Sequence, residues 1–290
     1  MSLIVTGATG ALGRLTVEDL LSRGVPAGEI VAAGRDVGRL SDLARRGVRI
    51  RVADYADPAS LRAALAGVTR LLLVSGSVPG PQRVRQHRNV IEAAGEAGAG
   101  LVAYTSIVNA GTSTLRMAED HQATETLLRE SGVPFTLLRN SWYTENYTAR
   151  LPAILERGAV YGSAGDGRVS AATRADYAGA AAAVLTTGGH ESRAYELGGD
   201  EGFTLAELAA EITAQSGTDV RYVDLPEQEY ASVLAADGLP QPYADTLADA
   251  DRGLRRGELE TRSGDLRQLL GRPATPLAEA IAAAVRDAAA

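Results

Sequence analysis

The segment Thr6–Leu15 reads TGATGALGRL, a glycine at every third position between an apolar run and an amphipathic one. Gly7, Gly10 and Gly13 give the spacing G-x-x-G-x-x-G, directly after SLIV and directly before a helical pattern from Leu12 to Arg23. Glycine suits a backbone that must turn tightly and approach a charged group. A helix N-terminus just beyond the turn offers amides and a partial positive charge. Strand, turn and helix in this order form the corner at which Rossmann-type sheets hold a pyrophosphate. The alternative is a strand–helix corner that is merely glycine-rich, and the rest of the chain decides between the two.

The apolar rhythm continues through the first half. EIVAAG precedes a helical pattern around Val37–Arg46, and VRIRVAD precedes one starting at Pro58. RLLLVS leads into Pro81–Ala97, LVAYTS into Leu115–Ser131, and FTLLRN closes the series. Six short strands separated by helices predict βαβ units with right-handed crossovers, hence an α/β fold with a Rossmann-type, doubly wound parallel sheet. After about residue 150 the rhythm breaks into AVYGSAGDGRVSAATRADYA, followed by a strand in RAYELGG, a helix over Thr204–Gln215, a short strand VRYVDL and further helices. The expected organisation is a nucleotide-binding core over 1–150 with a later strand near 194–198. A smaller substrate lobe over 151–290 is interleaved with it, without a linker.

Composition removes several function classes. A formal charge of −7 and a pI near 5.2 argue against a nucleic-acid face. There is no cysteine, and the histidines at 87, 121 and 190 match no metal-ligand spacing, so no metal is expected. No stretch is apolar enough to span a bilayer, and a cytoplasmic protein with no membrane partner is the natural reading.

The end of the second strand selects the nucleotide. An NAD site usually carries Asp or Glu about 20 residues beyond the glycines, to hold the ribose hydroxyls. Here AAGRD places Arg35 at the reading position, with Arg39 a helical turn later. A guanidinium stacks on adenine and pairs with a 2′-phosphate through its planar fork. Asp36 leaves NAD open, but NADPH is favoured.

Taken together, TGATGALG, VADYADPASL, LLLVS, QHRNVIEAA, AYTS, LLRNSWYTENY, SAATRADYA and YELGGDEGFTLAELAAEI resemble the NmrA-like group of atypical short-chain dehydrogenases. Within it, the chain is most similar to the type 2 NAD(P)H:quinone oxidoreductases, over nearly its whole length. The resemblance implies that Gly7, Ala8, Thr9, Gly10, Ala11 and Leu12 form the pyrophosphate turn and Arg35 the 2′-phosphate contact. It further implies that Ser75, Gly76 and Ser77 pass beside the nicotinamide ribose, although SGSVPGPQ departs from the family pattern there. Asn140, Ser141, Trp142, Tyr143, Thr144 and Glu145 would border the nicotinamide, with Arg174 a further polar candidate. Asp54 either faces the adenine or closes a plain strand-end turn. Trp142 and Tyr143 offer flat surfaces for stacking on an acceptor.

Most short-chain dehydrogenases pair a serine with Tyr-x-x-x-Lys on the next helix, the tyrosine giving a proton to the nascent alkoxide. Ser106 fits the serine position. In the register of the tyrosine and lysine stand His121 and Glu125, and all 29 basic residues of the chain are arginines. His121 is at most a weak proton donor, and as readily a residue of the helix surface or cleft paired with Glu125. An acceptor that stabilises its own charge, such as a quinone, needs mainly alignment with the nicotinamide. The expectation is therefore a flavin-independent NADPH reductase of a small planar, electron-poor substrate, with a homodimer allowed by the resemblance. The alternatives are an NADP(H)-sensing regulator without turnover, and a reductase of a triarylmethane-type dye or specialised metabolite.

Overall fold

A computed structural model describes residues 2–288. The strands are β1 (Leu3–Val5), β2 (Ile30–Gly34), β3 (Arg49–Val52), β4 (Arg70–Leu73), β5 (Leu101–Ile107), β6 (Phe135–Asn140), β7 (Ala159–Gly162), β8 (Arg193–Leu197) and β9 (Arg221–Asp224). The helices are α1 (Ala11–Ser22), α2 (Ser41–Arg45), α3 (Pro58–Leu65), α4 (Pro81–Glu96), α5 (Arg116–Glu130), α6 (Glu145–Thr148) and α7 (Leu151–Arg157). They continue as α8 (Arg174–Thr186), α9 (Leu205–Ser216), α10 (Glu227–Ala236), α11 (Gln241–Arg255), α12 (Asp265–Leu270) and α13 (Leu277–Ala288).

Seven strands form one sheet in the order β3-β2-β1-β4-β5-β6-β8. The reversal of strand order beside β1 is the doubly wound arrangement the apolar rhythm predicts, and it opens a crevice at the strands' C-terminal ends. Pairing is parallel, with Ile4 opposite Val31 on one side and Leu71 on the other. Buried on both faces, β1 and β2 carry no polar side chain at all, as parallel central strands require.

The chain divides into two compact units. The first comprises Met1–Ala110, Glu119–Asn140 and Arg174–Tyr195; the second comprises Gly111–Ala118, Ser141–Thr173 and Glu196–Ala290. In the first, Ile4, Val31, Leu71 and Val102 pack beneath Leu61 and Leu65 of α3, Val90 and Ile91 of α4 and Leu128 of α5. Helices α1 and α8 also pack together there. The alanines at 178 and 180–183 are buried and let the two helix backbones come close. The apolar pattern assigns no element to Arg174–Thr186, because a run of alanines lacks the polar–apolar contrast on which periodicity depends.

The second unit has its own core around Tyr230, Leu234, Ala244 and Ala248. Its two-stranded sheet pairs β7 with β9 in parallel, Ala159 opposite Arg221. The stretch containing β7 reads as irregular by composition. It becomes a strand because a partner distant in sequence supplies its hydrogen bonds. Helix α9 begins with a capping box in which Thr204 accepts from the Glu207 amide (3.1 Å) while Glu207 accepts from the Thr204 amide (2.8 Å).

Gly13 holds α1 against the first turn. A Cβ placed there would lie 2.5 Å from the Gly7 carbonyl oxygen and 2.9 Å from the Ala8 Cα, both rigid backbone. The Gly13→Ala variant should therefore lose about 1–3 kcal/mol of stability. Thermal denaturation reads this directly, and an unchanged melting temperature would show that the contact is not tight.

Candidate functional site

The first turn is built as its glycines require. Gly7 sits at φ +63°, in the left-handed region, and its carbonyl accepts the Gly10 amide at 2.9 Å. Helix α1 follows Gly10 without a side-chain cap, so its first amides and positive dipole end lie beside the turn. Gly34, at the end of β2, lies so close to Thr9 that a Cβ there would sit 2.8 Å from the threonine Cγ2.

A cleft of about 310 Å³ opens over this corner. It is lined by Gly7, Thr9 and Gly10 of the turn, by Arg35 and Arg39 after β2, and by Ser75, Gly76 and Ser77 after β4. Asp54, Tyr55 and Gln86 complete it. Both arginines are exposed, and they face a lining whose sole carboxylate is Asp54. The cleft is thus suited to an extended ligand with a phosphate near residues 35–39. Asp54 also closes the strand-end turn, since its Oδ1 accepts the Ala56 amide at 2.9 Å. Tyr55 and Gln86 were not singled out from the sequence. The Tyr55 hydroxyl donates to the Val74 carbonyl (2.8 Å) and lies 2.5 Å from Thr6 Oγ1, tying β1, β4 and the end of β3 together. The resemblance to VADY was the signal that could have marked it.

Other predicted residues stand elsewhere. Ala8 and Leu12 are buried in the core, and the Ala8 amide is spent on the Ala33 carbonyl (3.0 Å). Ala11 is exposed as the first residue of α1. Asn140 ends β6 with its buried Oδ1 lacking a hydrogen-bond partner, and Arg174 begins α8. Ser141, Trp142, Tyr143, Thr144 and Glu145 belong to the second unit. Ser141 Oγ is committed to the Leu259 carbonyl at 2.7 Å, and Thr144 lines a separate cavity beside Phe203 and Arg267.

The glycine- and proline-rich loop after β4 is held from behind. The Ser75 amide donates to Thr105 Oγ1 (2.8 Å), the Gly76 amide to His87 Nε2 (2.9 Å) and the Gly80 amide to Asp120 (2.7 Å). Arg83 donates to the Val78 carbonyl at 3.1 Å and pairs with Asp120 at 3.5 Å. Because Nε2 of His87 accepts, its proton resides on Nδ1, which reaches Thr124 Oγ1 at 2.9 Å. Burial, and then the Arg83 charge, push the His87 pKa down to about 3.

The proton-donor region is equally specific. His121 is buried, and its Nδ1 lies 2.7 Å from the Tyr104 hydroxyl. It does not pair with Glu125. Burial, and then the Arg83 charge, lower its pKa to about 3 and leave it neutral at physiological pH. Glu125 accepts from Ser106 (2.7 Å), from Arg139 through both oxygens (2.9 and 2.6 Å) and from Arg129 (2.9 Å). Burial raises its pKa, but hydrogen bonds from Arg139 and Ser106 and the Arg139 charge outweigh this and hold it below the usual range. The serine that would assist a tyrosine is instead bound to an anion, and no cation stands in the lysine register. Among the described residues, no cluster of His, Asp or Glu suits a metal ion, and no helix is long and apolar enough to cross a membrane.

The sequence pattern of a family described as NAD(P)H-binding matches residues 7–188. Quinone oxidoreductase 2 of Escherichia coli (strain K12) is 50% identical over 277 residues, 96% of each chain. The crystal structure of the Escherichia coli NADPH-dependent quinone oxidoreductase complexed with NADPH superposes with a TM-score of 0.93 over 98% of this chain and 99% of that one. Triphenylmethane reductase from Citrobacter sp. superposes with a TM-score of 0.93 at 39% identity, over 99% of this chain and 100% of that one.

The two neutral histidines predict a pH response. Each takes a proton near pH 6.5 when unfolded but only near 3 when folded, so its contribution is complete above 6.5 and declines as pH falls. Well below that midpoint the loss approaches about 1.4 kcal/mol per pH unit for each histidine. Urea midpoints should drop from pH 7 to 5, above the range in which Glu125 contributes. A His87→Asn/His121→Asn double variant, less stable at pH 7, should show a much flatter profile. An equally steep profile in that variant would place the dependence elsewhere.

Proposed function

The chain belongs to the NAD(P)H-binding family, and from that premise we propose that it is a flavin-independent reductase transferring hydride from NADPH to a quinone or similar conjugated acceptor. The turn at Gly7–Gly10 and the start of α1 would hold the pyrophosphate. Arg35 and Arg39 would hold the 2′-phosphate, Asp54 and Tyr55 would flank the adenine side, and Ser75–Ser77 would run along the nicotinamide ribose. The fit rests on the cleft itself: glycines where a Cβ would collide, an uncapped helix start, and two exposed guanidiniums at the end of β2.

The observation that carries the reading of the acceptor is the locked donor site. With Ser106 and Arg139 bound to Glu125, and His121 neutral and bonded to Tyr104, the tyrosine register holds no free acid to protonate an alkoxide. Simple ketones need such an acid, whereas a quinone delocalises the incoming charge and can take its proton from water. When bound, NADPH supplies the hydride. One hydride and one solvent proton convert the quinone to the hydroquinone, which balances the two-electron oxidation of the nucleotide. The likeness to Escherichia coli quinone oxidoreductase 2 supports this acceptor class, and the Citrobacter protein supports a cationic dye as a second substrate, since a triarylmethane cation also accepts hydride without an acid.

Purified protein should oxidise NADPH with a simple benzoquinone and no added flavin; binding of NADPH without turnover across a quinone panel would overturn the reading in favour of a nucleotide sensor. The Arg35→Ala variant should raise KM for NADPH by about tenfold or more and leave that for NADH little changed. Ser106→Ala and His121→Asn should each keep kcat within about tenfold of the parent. A loss of about a hundredfold or more would instead mark a general acid.

A further inference from the structure

Arg39 is an exposed cation on a fragile support. It belongs to a single 3-10 turn, Val37–Leu40, in which its amide reaches the Asp36 carbonyl only at 3.3 Å. The helix that follows, α2, has five residues and no side-chain cap. Such short elements have little stability of their own. Arg35 and Arg39 both line the cleft, and an anion bound there would offset their like charges.

Arg14, which closes the first turn of α1, supplies the missing support. Arg14 Nη1 donates to the Arg39 carbonyl at 3.2 Å, while Nη2 forms an ion pair with Asp42 in α2. One guanidinium thus grips the chain on both sides of Leu40. Arg14 does not line the cleft, and its charge is largely cancelled by Asp42. The rigid fork of arginine suits this two-sided grip, which a lysine ammonium on a flexible stem reproduces poorly. An isolated exposed ion pair contributes little to global stability, so the effect falls on the local turn and not on the fold.

We propose that Arg14 is a positioning residue for nucleotide selectivity: by bridging the Arg39 carbonyl and Asp42 it holds the 37–42 segment, and hence the Arg39 side chain, in place for the 2′-phosphate of NADPH. This rests on the NADPH reading given above and extends it to a residue outside the cleft lining. The brace couples the helix that begins at the pyrophosphate turn to the segment that reads the 2′ position. Because NADH has no 2′-phosphate, its affinity does not depend on the brace.

Fluorescence titration of the purified full-length protein with NADPH and with NADH, without any acceptor, tests the assignment. Arg14→Ala, Arg14→Lys and Asp42→Asn should each weaken NADPH binding by about three- to tenfold and leave NADH binding unchanged. The Arg14→Ala/Asp42→Asn double variant should be no weaker than Arg14→Ala alone, because both residues serve one brace. Three results would overturn the proposal: equal losses for both nucleotides, full NADPH affinity in Arg14→Lys, or tighter NADPH binding in Asp42→Asn. The last two would mean that Arg14 acts by its charge. The underlying reading is tested separately: if the parent and Arg35→Ala proteins bind both nucleotides alike, the 2′-phosphate site itself fails, whatever the Arg14 variants do.

Discussion

The contact between Gly13 of the first helix and the Gly7–Ala8 backbone governs how the nucleotide corner is built. With no Cβ in the way, α1 starts directly against the turn, and its uncapped N-terminus faces the cleft. Any larger side chain would lever the helix outward and withdraw the dipole end from the place where a pyrophosphate would rest. The same helix then packs along the alanines of α8 and sends Arg14 toward the segment after β2. One backbone approach therefore fixes the turn, the helix and the reach of a side chain at the far wall.

Around this corner, polar groups are consumed in orienting backbone. The loop after β4 contains glycines and prolines that impose no conformation of their own, yet His87, Thr105, Asp120 and Arg83 bind its amides and carbonyls from behind. These buried groups have few alternative partners, so the loop is held in one arrangement. His87 performs this task only as the neutral tautomer with its proton on Nδ1. The low-dielectric surroundings that keep it neutral are thus part of how the cleft wall is built.

The absence of a Tyr/Lys pair was readable in the residues alone, since a chain without lysine cannot place an ammonium anywhere. What stands in its place was not. His121 and Glu125 share a helix face and invite pairing by their spacing, but each is drawn to a different neighbour: His121 to Tyr104 on β5, Glu125 to Arg139 on β6 and Ser106 on β5. Cross-sheet partners outcompete the i, i+4 neighbour because a buried carboxylate needs a bidentate cation, which a neutral imidazole cannot supply.

The α/β class, the parallel sheet, the glycine turn and the arginine at the end of β2 come from local sequence, because apolar period, glycine spacing and strand-end chemistry are properties of neighbouring residues. Helix α8 and strand β7 were invisible to that reading. The first is too uniformly small to show a period, and the second becomes a strand through β9, distant along the chain. Likewise, the resemblance implies nucleotide contacts at Ala8 and over Asn140–Glu145, whereas the fold commits the Ala8 amide and the Ser141 hydroxyl to backbone carbonyls. The sequence by itself determined which chemistry was missing and where a nucleotide could turn. Only the tertiary structure decided which side chains are free to face that nucleotide, because hydrogen bonds between residues far apart in the chain settle which polar groups are already spent.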